Sequence, residues 1–188
     1  PTRRSSDLEL LAELKQWCEQ RQDDHLRKHS ALALALLGDK SAIPVLREMV
    51  IERDEFLPKT SHMYSQLRSH AAIYLLGKLG DAGIVDELKL MINDPPVREP
   101  DESWINNKFI VSAADYRFQY ISYALMALLR IGDLQAERRR EIAEFLRQTV
   151  LIDRFETHFL LNSTPDYKLP QPMTQRLQQL TAERLASW

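Results

Sequence analysis

The sequence predicts an all-α fold, an α-solenoid of about three helical hairpins with a capping helix at each end. Three observations predict it. The first is composition: there are only five glycines in 188 residues, and Leu, Ala, Glu, Arg and Gln are abundant, which favours helix over sheet. The second is an internal repeat. The stretches LRKHSALALALLGDKSAIPVLREMVIERD from Leu26 and LRSHAAIYLLGKLGDAGIVDELKLMINDP from Leu67 share one plan: Leu-Arg-x-His, an Ala/Leu-rich helix, Gly-Asp, then a second amphipathic helix. A third stretch, FQYISYALMALLRIGDLQAERRREIAEFLRQ from Phe118, keeps the Ala/Leu helix and the Gly-Asp pair. The third observation is spacing. Gly38-Asp39, Gly80-Asp81 and Gly132-Asp133 stand 42 and then 52 residues apart, close to the length of a helical-hairpin repeat.

Each element follows from its residues. The first cap, LELLAELKQWCEQ, places Leu8, Leu11, Leu14 and Cys18 on one stripe. In the first helices of the three units, Ala31, Ala33, Ala35, Ala71, Ala72, Ala124 and Ala127 favour helix and let neighbouring helices approach closely. Leu75, Leu76 and Leu79 share one helix face. Each Gly of the Gly-Asp pairs is expected to stop the first helix in a left-handed conformation, with the adjacent Asp helping to start the next. Pro44 falls in the opening turn of a second helix, where its missing N–H costs little. Ile43, Leu46, Met49 and Val50 match Ile84, Leu88, Met91 and Ile92 as inward stripes, and Pro95 and Pro96 end the latter helix. The units lie near residues 26–54, 67–95 and 118–148. A final cap over 173–186 turns Leu177, Leu180 and Leu185 inward and its Gln and Arg residues outward. One hairpin cannot cover both of its apolar faces, but stacked hairpins bury a continuous core between neighbours.

The run Arg-x-x-Ala-Ala-x-x-Leu-Leu-Gly-x-Leu-Gly-Asp, from Arg68 to Asp81, resembles the short HEAT-like repeat of the type named after phycobilin lyases. The resemblance extends over residues 26 to 148, so the hairpins are expected to be HEAT-like. It implies an architecture that serves scaffolds, adaptors, lyases and enzyme appendages alike. The run ALALALLGDKSAIPVLREMVIERDEFLPKTS, with AAIYLLGKLGD and FQYISYALMALLRIGD, is also similar to helical C-terminal extensions of some bacterial FAD-dependent oxidoreductases. That similarity implies an FAD-binding catalytic domain elsewhere in a parent protein, because no Gly-x-Gly-x-x-Gly fingerprint stands in this chain. The opening octet, PTRRSSDL, resembles a translated sequencing adaptor. On that reading residues 1–8 are non-native, residues 9–188 form the native domain, and the chain is a metagenomic, C-terminal fragment of a larger bacterial protein.

Charge and cysteine content bound the function. Twenty-five Lys and Arg against twenty-seven Asp and Glu leave a net charge of -2, which argues against nucleic acid as a partner. The sequence has no apolar run long enough to span a membrane, and its single cysteine, Cys18, forms no internal disulfide. A cytoplasmic location is the expectation. Cys18 sits on an apolar stripe and reads as a small buried thiol.

No catalytic, cofactor-binding or metal-ligating set is predicted. His25 and His29 are four apart at a helix start, but Leu26 stands where the zinc-protease motif needs Glu, and no third ligand has motif spacing. They read as solvated helix-start residues with Asp24 as cap. Asp101 and Glu102 flank Trp104 in an acidic loop that carries no further catalytic sign. Arg138, Arg139 and Arg140 are interleaved with Glu137, Glu141 and Glu144, a salt-bridged face.

The candidate interaction surface is Arg27, His29, Arg68, His70, Trp104 and Tyr116. Arg27 with His29 and Arg68 with His70 recur at equivalent repeat positions. They form a cationic strip for an anionic partner, or else simply Arg stems covering a helix and pairing with carboxylates. The connections carry Phe56, Tyr64, Trp104, Phe109, Tyr116, Phe159 and Tyr167, too much apolar mass for a free linker. The predicted function is a non-catalytic module that mediates protein–protein or interdomain interaction, its partner a protein or an upstream catalytic domain of the same chain.

Overall fold

In the computed structural model, which describes residues 3–51, 65–94, 113–149 and 171–188, every regular element is a helix. Among the described residues there are eight α-helices: α1 (Arg3–Glu19), α2 (Asp24–Leu36), α3 (Ile43–Ile51), α4 (Ser65–Leu79), α5 (Val85–Asn93), α6 (Ala113–Leu134), α7 (Ala136–Thr149) and α8 (Gln171–Ser187). Short 3-10 turns, Lys40–Ala42 and Ala82–Ile84, stand directly before α3 and α5. The fold class is all-α. The chain divides into two compact units, Pro1–Ile84 and Val85–Trp188, with the boundary inside the second predicted hairpin.

In the first unit, α1 packs on α2, α2 folds back on α3, and α4 lies against both. Packing of one helix against both members of the preceding hairpin is the local arrangement that helical repeats use. The shared core comes from the predicted stripes. Ala31, Leu34 and Ala35 of α2, Leu46, Met49 and Val50 of α3, and Ala72, Ile73 and Leu76 of α4 are all fully buried. Each large apolar side chain there contributes roughly 1.5–3 kcal/mol, and the alanines let the helices close up around them. Ile43 is only half-buried, and Val45 takes its place in the interior.

The Gly-Asp joint forms twice as expected. Gly38 adopts φ +84° and Gly80 φ +67°. At the first joint the Asp39 N–H donates to Leu34 O (3.0 Å) and the Gly38 N–H to Ala35 O (3.0 Å); at the second, the Asp81 N–H donates to Leu76 O (3.0 Å) and the Gly80 N–H to Gly77 O (3.2 Å). Both are Schellman-type closures that satisfy the last carbonyls of a helix. The Asp carboxylates then open the next element: Asp39 accepts from Ser41 N at 2.9 Å and Asp81 from Gly83 N at 3.3 Å.

Three local expectations are corrected. The cap of α2 is Asp23, not Asp24: Asp23 is in extended conformation and accepts from Leu26 N. Asp24 is already helical, so its carboxylate turns to Arg27 and Lys28. Leu8 is 68% exposed rather than inward. Burial along that stripe rises through half-buried Leu11 and Leu14 to buried Cys18, so α1 meets the core at its later turns. Gly132 does not stop a helix, since α6 continues through it to Leu134.

In the second unit α6 packs against α5 and α7, and α8 lies on α6. Leu88 and Met91 of α5, Ala124, Leu125, Leu128 and Ile131 of α6, and Ile142 and Leu146 of α7 fill its interior. On α8, Leu177 and Thr181 are buried, Leu180 and Leu185 half-buried, and Gln175, Arg176, Gln179 and Glu183 exposed. The Thr181 hydroxyl stays satisfied by donating to Leu177 O at 2.8 Å. The outer face of α7 is the predicted mixed-charge surface, with Arg138 on Glu141 (2.8 Å) and Arg140 on Glu144 (2.9 Å). Lys89 of α5 also reaches Glu141.

Candidate interaction surface

The repeat register brings Arg27 and His70 to buried positions, which removes them from any exposed strip. Arg27 is 8% exposed. Its guanidinium forks between Asp24 Oδ1 (Nη2 at 2.7 Å, Nε at 3.2 Å) and the Glu48 carboxylate, whose Oε2 lies 2.8 Å from Nη1. Glu48 and Asp24 hold the Arg27 proton more tightly than usual, and the Arg27 hydrogen bonds in turn hold the Glu48 carboxyl below its ordinary range. The charge of Arg27 is thereby used to tie α2 to α3. Of the two readings of this residue, the structure selects the stem that covers a helix and pairs with carboxylates.

His70 is 3% exposed on α4, and burial pushes its pKa down to about 4. It is therefore neutral at pH 7 and supplies no positive charge. His29 is exposed, with Nδ1 2.8 Å from the His25 carbonyl and the two rings 4.2 Å apart between centroids. Trp104 lies outside the described residues, as do the side chains of Arg68 and Tyr116 and the other loop aromatics, Phe56, Tyr64, Phe109, Phe159 and Tyr167. Among the described residues no group of three or more His, Cys, Asp or Glu side chains is placed to hold a metal ion. Cys18 is buried, and burial raises its thiol pKa above the ordinary value.

The exposed apolar surface that sequence reasoning missed lies at the end of α2. Leu36 is 61% and Leu37 66% exposed, while Leu34 is fully buried. Leu37, Leu11 and Leu8, with Asp7 and Asp39, line an open groove of about 540 Å³. A signal for it was present. In ALALALL the leucines at 32, 34, 36 and 37 are spread around a helix turning 100° per residue. They cannot all face one core.

The groove is bordered by a firmly held polar joint. Asp39 accepts from Lys15 Nζ at 2.8 Å as well as from Ser41, and these bonds, Lys15 first, bring its carboxyl to about 2. The corresponding joint at Asp81 takes the guanidinium of Arg47. Gly83 is what lets Arg47 lie over that turn: a Cβ there would fall 2.7 Å from Nη1. A second open groove, of about 370 Å³, runs between Leu146 and Arg147 on α7 and Gln175, Gln178, Thr181 and Leu185 on α8.

Two packed helices joined by a short turn, a glycine-terminated first helix and an Asp that opens the second are now placed within residues 24–51. The same segment matches the family described as PBS lyase HEAT-like repeat, over residues 26–51. These residues form a HEAT-like repeat. The HEAT-like segment spans α2, the 3-10 turn and α3, and the all-α frame around it carries the same Gly-Asp closure a second time, at Gly80. No curated protein and no solved structure matches the chain. Among the described residues no helix is long and apolar enough to cross a membrane.

Proposed function

We propose that this chain is a non-catalytic HEAT-like helical repeat module that binds protein, either a separate partner or another domain of its own chain. The observation that carries the reading is the exposed leucine pair Leu36 and Leu37 at the end of α2, within the HEAT-like repeat. Burying each of these side chains under a partner would contribute roughly 1.5–3 kcal/mol, and contiguous exposed apolar surface marks interaction sites on folded proteins. The similarity to helical extensions of FAD-dependent oxidoreductases makes such a catalytic domain the first partner to test, with FAD bound to that domain and not to this chain.

The test is co-purification of the 188-residue chain with the polypeptide encoded on its 5′ side, alongside the double variant Leu36→Asp/Leu37→Asp. A complex that forms with the unmodified chain and is lost with the double variant is the expected result. A complex of undiminished yield with the double variant moves the interface away from α2. Stoichiometric flavin absorbance in the purified chain alone overturns the non-catalytic reading.

A further inference from the structure

The three Gly-Asp joints are not used alike. Asp39 takes Lys15 of α1, and Asp81 takes Arg47 of α3, so each carboxylate draws its cation from a helix that precedes it. Asp133 turns the other way. Its Oδ1 accepts the indole Nε1–H of Trp188 at 2.9 Å, and its Oδ2 lies 3.5 Å from Nε of Arg184, so both partners come from α8 and the residue after it. Lys89 stands eight residues beyond Asp81, as Arg47 stands eight beyond Asp39. Continued register would give Lys89 to Asp133, but Lys89 pairs with Glu141 and Asp86.

Gly132 has changed its task as well. It sits inside α6 with no positive φ, unlike Gly38 and Gly80. What it supplies is space: a Cβ on Gly132 would fall 2.6 Å from Cζ2 and 3.1 Å from Cζ3 of the Trp188 ring. Arg139 satisfies the carbonyls at the end of α6, with Nε 2.9 Å from Gly132 O and Nη2 3.3 Å from Asp133 O. Glycine inside a helix otherwise costs stability, so a close neighbour is the physical reason for it here.

We propose that Gly132, Asp133, Arg184 and Trp188 form a latch that holds α8 shut over the α6–α7 hairpin. Trp188 seats its ring on the bare Gly132 backbone and anchors it through Asp133. Buried Leu177 and Thr181 face inward, and Gln175, Arg176, Gln179 and Glu183 leave a polar outer face.

The test is a reversal of sign. In an ordinary helix interior Gly→Ala stabilises. Here Gly132→Ala is expected to lower the melting temperature of the full chain, and to raise it in a Trp188→Ala background. The position of the ring is read by fluorine NMR on 5-fluorotryptophan-labelled chain, with Trp188→Phe assigning one of the three tryptophan signals. Gly132→Ala should move the Trp188 signal to a solvent-quenchable position. Should Gly132→Ala fold too poorly to measure, Trp188→Ala alone carries the test. It should speed proteolytic cleavage within α8 by about tenfold or more. Gly132→Ala raising the melting temperature in both backgrounds with an unmoved Trp188 signal overturns the latch. So does Trp188→Ala with unchanged proteolysis.

Discussion

Acidification to pH 5 should destabilise the first unit through His70. This side chain is 3% exposed on α4, and burial holds its pKa at about 4, against an ordinary value of about 6.5 in the unfolded chain. The folded value is the lower one, so on acidification the unfolded chain takes up the proton first. The contribution is constant above about pH 6.5, and stability then falls as the pH drops from there toward 4. At pH 5 the unfolded imidazole is almost wholly protonated and the folded one almost wholly neutral, which corresponds to a loss of about 2 kcal/mol. That is a large part of a domain's stability of about 5–15 kcal/mol. The carboxylates do not blur this window. Asp39, Asp24 and Glu48 are all held below their ordinary values, so their stabilisation is retained above those values and is lost only at lower pH. The assay is urea unfolding followed by circular dichroism at pH 7 and pH 5, on the unmodified chain and His70→Gln. The unmodified chain should lose about 2 kcal/mol more than the variant. Equal losses, or a His70 ring proton that titrates near pH 6.5 by NMR, would refute the reasoning.

Further outcomes follow from single residues. Gly38→Ala should cost about 1–2 kcal/mol by thermal unfolding, all of it conformational, because φ is +84° and no atom lies within 4 Å of the added Cβ. Arg47→Ala leaves the buried Asp81 carboxylate without its guanidinium and should lower urea stability by about 1–3 kcal/mol. Arg140→Ala, removing an exposed pair with Glu144, should give no measurable change in the same experiment. Leu46→Ala empties a fully buried position on α3 and should cost about 2–5 kcal/mol. Cys18 should react with a disulfide reagent orders of magnitude more slowly in buffer than in urea, since its thiol is buried with a raised pKa.

Much of the helical frame was legible in the sequence, because its signals are short-range. Gly38 and Gly80 end helices in the left-handed region, Pro44 sits in the first turn of α3, and the stripe Leu88, Met91, Ile92 is buried. The interaction surface was much less legible. Arg27 and His29 are near neighbours in sequence, yet the first is sunk between Asp24 and Glu48 and the second is exposed. Glu48 is 21 residues away from Arg27, and nothing local announces that it will arrive there. Leu36 and Leu37 share the composition of the buried part of α2 and differ only in the direction they face when α3 and α4 close on it.

The sequence by itself determined that the chain is helical, where two of its joints turn, and that one hairpin is a HEAT-like repeat. These depend on φ preferences, capping and a period of 3.6 residues, all set within a few residues of one another. Only the tertiary structure decided what each repeated position does. The three Gly-Asp pairs read identically in sequence, but Gly38 and Gly80 serve a backbone angle whereas Gly132 makes room for Trp188, 56 residues further on. The same Gly-Asp neighbours bend the chain at Gly38 and Gly80 and let it continue at Gly132; what is pressed against such a glycine is settled by the helix that packs there.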